Sequence, residues 1–88
     1  MSYHVHLSSS ALKQLKKMNR FDAQIIIDWL TDRLEGCENP RAYGKPLSVN
    51  RAGEWRYRIG KYRVSCTIED NELTVQVFSI EHRSTVYR

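Results

Sequence analysis

Alternating apolar and polar positions predict four strands in this chain. The first is YHVHL at residues 3–7, with apolar side chains on one side and two histidines on the other. This alternation is typical of a half-buried strand. The same pattern returns at about 54–59, 62–69 and 72–82. The chain therefore carries one strand near its beginning and three near its end.

Apolar residues at helical spacing predict two helices between the first and second strands. In SSSALKQLKKMN, apolar residues recur every three or four positions, and the serines at 8–10 are candidate N-caps. A second helix is expected from about residue 21 to 34, where Ile26, Leu30 and Leu34 form an i, i+4 row. The following segment holds both prolines and predicts a loop with a short edge strand near Leu47.

Two short turns join the last three strands in this interpretation. Gly60-Lys61 suits a type II′ hairpin turn, and Asp70-Asn71 suits a type I′ turn. The element order is then β-α-α-β-β-β, an α+β fold in which two N-terminal helices pack on one face of an antiparallel sheet. The length of 88 residues fits a single domain over 1–88.

Strand alternation divides the side chains of the last three strands between two faces. One face is apolar and is expected to form the core: Trp55, Tyr57, Ile59, Tyr62, Val64, Cys66, Ile68, Leu73, Val75 and Val77. The other face is expected to be open: Arg56, Arg58, Arg63, Ser65, Thr67, Thr74, Gln76, Phe78, Ile80 and His82.

Two-residue turns also fix which residues lie opposite one another. Arg58 faces Arg63 across the first turn, while across the second Arg63 faces Phe78 and Ser65 faces Gln76. Like charges directly opposite on a sheet are destabilising. With few acids expected on this face, a bound anion resolves the conflict, because guanidinium groups bind phosphate bidentately. Phe78 either stacks a base or packs under the C-terminal segment.

Charge and cysteine content narrow the class of protein. The formal net charge is +4, which favours anionic partners. Cys37 and Cys66 have no metal-binding spacing and are expected to be reduced, buried thiols. No apolar run is long enough for a membrane span, and no secretory signal is recognisable. A cytoplasmic protein without membrane association is expected.

Three stretches resemble the RelE/ParE superfamily of toxins from type II toxin–antitoxin systems. These are SSSALKQLKKM, WRYRIGKYRV and the terminal HRSTVYR, and the RelE branch is the more similar one. The resemblance implies an endoribonuclease (mRNA interferase) that cleaves mRNA, in the A site of the ribosome. It also implies a cognate RelB-like antitoxin, with which the toxin binds operator DNA.

The chemistry expected of such a site needs no metal or other cofactor. A base takes the proton of the 2′-hydroxyl, which attacks phosphorus, and an acid protonates the departing 5′-oxygen, leaving a 2′,3′-cyclic phosphate. No carboxylate cluster in the sequence resembles a two-metal nuclease site. Cations stabilise the charge that grows on the phosphoryl oxygens. The candidates are Arg56, Arg58, Arg63 and Arg83.

His82 and Tyr87 are the candidates for proton transfer. Nearby cations favour neutral His82, which can act as a general base, although a hydrogen-bonded histidine at a strand end is the structural alternative. Tyr87 is expected to be the acid or to position substrate. Arginine stays charged and is not expected to carry a proton. Candidate RNA-binding residues are Phe78, Lys45 and Lys61.

Two other functions remain open from the sequence. ParE-branch toxins inhibit DNA gyrase by binding and need no nuclease residues, and a basic sheet can also be a binding module for RNA or an acidic antitoxin segment. Substitution of His82 separates them, since only cleavage should depend strongly on it. An antitoxin is expected to place acidic residues on Arg58 or Arg63, or to displace the segment that holds Tyr87.

Overall fold

The computed structural model describes residues 1–47 and 53–86, and it shows two helices packed on one face of a five-stranded sheet. The predicted α+β class is confirmed. The elements are β1 (His4–Leu7), α1 (Ser9–Lys17), α2 (Arg20–Trp29), β2 (Lys45–Pro46), β3 (Glu54–Ile59), β4 (Tyr62–Glu69), β5 (Thr74–His82) and the one-turn helix α3 (Arg83–Val86).

Side-chain caps begin both long helices. Ser8 is the N-cap of α1, and its Oγ accepts a hydrogen bond from the backbone N–H of Ala11 at 3.1 Å. Asn19 caps α2 through its Oδ1, which accepts from the backbone N–H of Asp22 at 2.8 Å. Such caps satisfy amide groups that have no partner inside the helix. The prediction of a serine cap is therefore confirmed at Ser8.

The sheet is mixed and not wholly antiparallel as predicted, with strand order β1-β5-β4-β3-β2. β1 runs parallel to β5, whereas the other neighbours are antiparallel. Parallel strands need a long connection, which two-residue hairpin turns cannot provide. The segment after β1, which contains both helices, supplies it. β2 confirms the short edge strand predicted near Leu47, and it pairs Lys45 with Arg56.

The first hairpin has the predicted register. Arg58 lies opposite Arg63, and Ile59 opposite Tyr62. Gly60 takes a φ of +58°, as the first central position of a type II′ turn requires. Alternation and the glycine together were enough to align these two strands.

The second hairpin differs from its prediction. A 3₁₀ turn over Asp70–Glu72, followed by Leu73 in the left-handed region (φ +50°), replaces the two-residue turn at Asp70-Asn71. A bulge then leaves Phe78 as an extra residue in β5, since Ser65 pairs with Ser79 and Cys66 with Val77.

Because of the longer turn and the bulge, the register of β4 and β5 differs from the predicted one. Arg63 faces Glu81 instead of Phe78, and Ser65 faces Ser79 instead of Gln76. The longer turn shifts the pairing by two residues, which preserves the faces, whereas the bulge shifts it by one more and exchanges them.

The core lies between the sheet and the helices. Its buried residues are Ala11, Leu15, Ile26, Leu30, Leu34, Tyr57, Ile59, Val64, Cys66, Ile68, Val75, Val77 and Ile80. Trp55, Tyr62 and Leu73 were predicted as core and are half-buried. Ile80 was predicted on the open face and is buried, because the bulge turns it inwards. Within the described residues, no helix is long and apolar enough to cross a membrane.

Candidate nucleic-acid interface

The face of the sheet that points away from the helices carries the predicted arginines; we call it the open face. Arg58 is exposed between buried Tyr57 and Ile59, so alternation directs it away from the core, and Arg56 shares its side of β3. Arg63 lies beside Arg58 on β4. The structure therefore brings Arg56, Arg58 and Arg63 together as predicted.

A groove of about 250 Å³ crosses this face; we call it the open-face groove. Its lining residues are Leu47, Arg56, Arg63, Ser65, Phe78, Ser79 and Glu81. Phe78 is half-buried at the bulge and supplies an aromatic part of the wall. The predicted RNA-binding residue Phe78 thus lies in the same groove as two of the arginines.

Glu81 brings a carboxylate to this face, which the sequence interpretation did not expect. It lies directly opposite Arg63, so the row across the sheet is Arg58, Arg63 and Glu81. Its Oε1 lies 3.5 Å from the hydroxyl oxygen of Ser79. One carboxylate therefore offsets part of the positive charge of the groove.

His82 does not lie on the open face, and its predicted placement there is wrong. It pairs with Tyr62, and the two rings meet edge to face with centroids 5.2 Å apart. The hydroxyl of Tyr62 donates to Asp22 of α2 at 2.8 Å, which places this pair on the helix side. The bulge at Phe78 is the physical reason for the exchange of faces.

The contacts of His82 favour one tautomer. The backbone N–H of Ser84 donates to Nδ1 at 3.2 Å, and the hydroxyl of Ser84 lies 2.7 Å from the same nitrogen. Because Nδ1 accepts the N–H, neutral His82 carries its proton on Nε2. The ring thus satisfies an amide at the start of α3, as a capping side chain does.

The remaining predicted residues lie beside the open face or near His82, except for Tyr87. Lys61 is exposed in the β3–β4 turn, and its carbonyl accepts from the backbone N–H of Arg83 at 2.8 Å. Arg83 is exposed at the start of α3. Tyr87 lies outside the described residues. Lys45 is exposed on β2, opposite Arg56.

A second concavity lies where the loop before β2 meets β3; we call it the edge cleft. Its volume is about 390 Å³. Its lining side chains are Trp29, Arg33, Tyr43, Lys45, Arg56 and Arg58. The sequence interpretation missed Trp29, Arg33 and Tyr43. The i, i+4 spacing of Trp29 and Arg33 was the available signal, because residues at that spacing meet on one side of a helix.

Neither cysteine is among the described residues that line the groove or the cleft; Cys66 is buried as predicted, whereas Cys37 is only half-buried. Both thiols are free, and burial raises the pKa of Cys66 to about 12 and that of Cys37 above its usual range. The predicted reduced state fits these environments, since a thiolate is the reactive form. In the part of the chain that the structure describes, no group of three or more histidine, cysteine or carboxylate residues is arranged to hold a metal ion.

Comparison with known proteins gives a consistent family. The profile of the family described as ParE toxin of type II toxin-antitoxin system, parDE, matches residues 5–87. Toxin RelG of Mycobacterium tuberculosis is 30% identical over 88 residues, which cover 100% of this chain and 99% of that protein. Toxin RelE of the same organism is 31% identical over 86 residues, which cover 98% and 87%.

Solved structures share the fold. The toxin–antitoxin complex RelBE2 of Mycobacterium tuberculosis contains a chain that is similar with a TM-score of 0.79 and 27% identity, covering 96% of this chain and 94% of that one. The isolated RelE toxin of E. coli has a TM-score of 0.72 at 21% identity, with 98% and 92% covered. At that identity the second likeness concerns the fold alone.

Proposed function

Because the chain belongs to the RelE/ParE superfamily of type II toxins, we propose that it is a RelE-type mRNA interferase. It cleaves mRNA in the ribosomal A site without a metal ion, by attack of the 2′-hydroxyl on the adjacent phosphorus. The family supports a toxin, and the relatives named RelE and RelG support this branch.

The single observation that carries the proposal is the group of Arg56, Arg58 and Arg63 on the open face, which we call the arginine row. Arg58 and Arg63 lie opposite one another, and Arg56 lies on β3, on the same side as Arg58. Like charges in this arrangement cost stability unless an anion lies between them. A scissile phosphate is such an anion, and guanidinium groups stabilise the charge that its oxygens gain in the transition state.

Proton transfer needs groups other than the arginines, which stay charged. Glu81 is the carboxylate of the open-face groove, beside Arg63. We assign it the role of general base toward the 2′-hydroxyl. This replaces the assignment of His82 as base, because His82 lies on the helix side of the sheet and its Nδ1 already accepts the backbone N–H of Ser84.

His82 acts in this proposal at the start of α3. Its Nδ1 caps the helix that begins at Arg83. We propose that the cap positions Arg83 as a charge-stabilising group and that Tyr87 is the acid. Phe78, Lys45 and Lys61 are proposed to hold the RNA on either side of the scissile phosphate.

A partner antitoxin is part of the proposal. The similar chain from Mycobacterium tuberculosis was solved in a toxin–antitoxin complex named RelBE2. We expect a RelB-like antitoxin to place acidic residues on Arg58 or Arg63, or to displace the C-terminal segment, and to bind operator DNA together with this chain. A complex in which the open face stays bare would contradict the first arrangement.

The test is primer extension on a reporter mRNA in a bacterial translation extract, with and without ribosomes. Wild-type protein should give discrete cuts that need translating ribosomes. Arg58→Ala should reduce them about 100-fold or more, because one charge-stabilising donor is lost. Arg20→Ala is the matched control, since Arg20 is exposed at the start of α2 on the other side of the sheet. Equal cutting by both variants would reject the arginine site.

His82 needs a pair of variants. His82→Ala removes the cap, whereas His82→Asn keeps a side-chain acceptor that is among the best for a helix N-terminus. If His82 positions α3, His82→Asn should restore most of the cleavage that His82→Ala loses. If both variants are equally inactive, the ring itself takes part in proton transfer.

Gyrase inhibition is the second candidate, because the matching family profile is that of ParE. It predicts growth arrest in cells with the reporter mRNA intact, and inhibited supercoiling by purified gyrase. That combination of results would replace the nuclease proposal.

A further inference from the structure

We propose that the edge cleft binds one nucleotide of the single-stranded RNA next to the scissile phosphate, with its base against Trp29 and Tyr43 and its phosphate on the surrounding cations. The choice of RNA as ligand rests on the proposed nuclease function. The cleft itself is defined by geometry and charge that do not depend on it.

The charge of the cleft is the first support. Among the described residues, four cations line it: Arg33, Lys45, Arg56 and Arg58. Within residues 1–47 and 53–86, none of its lining residues is a carboxylate and none of the four cations forms an ion pair. Lys45 also lies directly opposite Arg56, a second like-charge pair beside that of Arg58 and Arg63. An anion is therefore the ligand that this concavity favours.

The aromatic wall is the second support. The rings of Trp29 and Tyr43 meet edge to face with centroids 5.7 Å apart, and Tyr57 supports Trp29 from the core at 5.4 Å. Tyr43 is 39% exposed although it is large and aromatic. An exposed aromatic ring beside cations, as Tyr43 presents here, is the arrangement with which proteins hold single-stranded nucleic acid, since every base can stack on such a ring.

A turn of π-helix places Arg33 at the cleft. α2 continues as one π turn over Leu30–Leu34, closed by the backbone hydrogen bond from Glu35 to Leu30 at 2.9 Å. The guanidinium carbon of Arg33 lies 5.5 Å from the centre of the Trp29 ring. Such turns are rare and frequently occur at functional sites.

The loop that carries Tyr43 is held against β3, so the cleft is formed before any ligand arrives. The indole N–H of Trp55 donates to the carbonyl of Tyr43 at 2.6 Å, and the hydroxyl of Tyr57 donates to that of Pro40 at 2.7 Å. Gly44 takes a φ of +75°, and a Cβ there would meet the carbonyl oxygen of Arg56. A preformed site loses less conformational entropy on binding.

The cleft continues the site already described, because Arg56 lines both the edge cleft and the open-face groove. A strand of RNA that lies in the groove therefore reaches the cleft across Arg56. An acidic antitoxin peptide would satisfy the cations but has no need of an aromatic wall. The combination favours a nucleotide, and the peptide is tested as the competing occupant.

The experiment is a tryptophan fluorescence titration of the full chain with adenosine 3′,5′-bisphosphate. Trp29 lines the cleft and Trp55 contacts its loop, so the two tryptophans of the sequence both report on it. Saturable quenching is expected. Tyr43→Ala and Arg33→Ala should each raise the Kd about tenfold, the size expected for loss of a stacking or phosphate contact. The matched controls are Arg20→Ala and Phe21→Ala; Phe21 is an exposed aromatic residue of α2 that lines neither the cleft nor the groove. Both controls should leave the Kd unchanged.

Unchanged affinity in both Tyr43→Ala and Arg33→Ala, or no saturable quenching by wild type, overturns the proposal even if mRNA is cleaved. Quenching that depends on these residues supports it even if primer extension shows no cleavage, in which case the nuclease function fails alone. If the two variants instead weaken binding of the antitoxin and leave that of the bisphosphate unchanged, the cleft belongs to the antitoxin and the proposal is wrong.

Discussion

The open-face groove and the edge cleft share Arg56 but differ in composition. The groove holds about 250 Å³ and contains the carboxylate of Glu81 opposite Arg63. The cleft holds about 390 Å³, with cations and aromatic rings but no carboxylate among its described lining residues. In a site with a cation and a carboxylate, the cation can bind a phosphate and the carboxylate can accept a proton. Cations and aromatic rings can bind a nucleotide but have no group that accepts a proton. Under the proposed function, this difference separates catalysis in the groove from nucleotide binding in the cleft along one bound RNA strand.

Glu81→Gln should give the largest effect and should act on the groove alone. Loss of the base should lower cleavage about 100- to 10,000-fold, the usual contribution of general acid–base catalysis. The affinity for a short uncleavable RNA should rise a few-fold, because one repulsive charge is removed. Cleavage rates and RNA titrations at two salt concentrations measure both. Glu72→Gln, in the turn at the far end of the β4–β5 hairpin, is the control; equal effects of the two changes would contradict the assignment of Glu81.

Arg56→Ala should affect both regions, since this side chain lines each of them. We expect a loss of about 100- to 1,000-fold in cleavage, as for removal of one charge-stabilising donor. The Kd of adenosine 3′,5′-bisphosphate should rise as well. Arg33→Ala should raise that Kd with a smaller loss of cleavage. If Arg56→Ala changes only one of the two measurements, the groove and the cleft are not continuous.

Gly44→Ala should separate the loop from β3 and damage the cleft before the groove. The added Cβ would collide with the carbonyl oxygen of Arg56, so the loop must move. We expect a loss of about 2–3 kcal/mol in the free energy of unfolding, measured with urea, from backbone strain and overpacking. Gly36→Ala is matched in φ (+81°) but has open space around it. Gly36→Ala should lower the free energy of unfolding only through backbone strain. Equal losses in the two variants would show that the loop moves away from the added Cβ of residue 44 at little cost.

The smallest effect is expected at Asp70. Arg41, in the same loop as Tyr43, donates to both carboxylate oxygens of Asp70 at 3.0 Å, and the hydroxyl of Tyr3 donates at 2.6 Å. These contacts hold the pKa of Asp70 below its usual value, first through Arg41. Arg41 is thus a cation whose charge is already neutralised, unlike those of the cleft.

The sign of the pH dependence follows from that shift. The pKa of an Asp carboxyl in the unfolded chain is about 4. Because folding lowers this pKa, the carboxylate stabilises the protein above the unfolded pKa, and the contribution is lost as pH falls through the folded pKa. Asp70→Asn should therefore reduce the loss of stability in acid, followed by thermal unfolding between about pH 5 and 2.5. RNA affinity at pH 7 should not change; a change would place Arg41 in the binding surface.

The sequence predicted the parts of the site that lie on the first hairpin. Alternation along β3 and β4 and the turn at Gly60 align Arg58 with Arg63 correctly. These features are local, and each residue of the pattern takes part in setting the register. The arginine row could therefore be derived without a structure.

The sequence did not predict the bulge in β5 or the loop contacts that form the edge cleft. Phe78 looks like an ordinary strand residue, and the only sign of the bulge is that Ile80 follows Val77 by three positions and not two. The edge cleft depends on hydrogen bonds from Trp55 and Tyr57 to a loop more than ten residues away. Such contacts depend on tertiary structure, which no local periodicity records.

The parallel pairing of β1 with β5 also governs when the sheet can be completed. His4 pairs with Thr74, and β5 is both a central strand of the sheet and its last one in sequence. Contacts between positions so far apart in sequence form slowly, because the intervening chain must first be ordered. During synthesis the sheet stays incomplete until β5 has left the exit tunnel, so an unfinished chain cannot yet assemble the groove that contains Glu81.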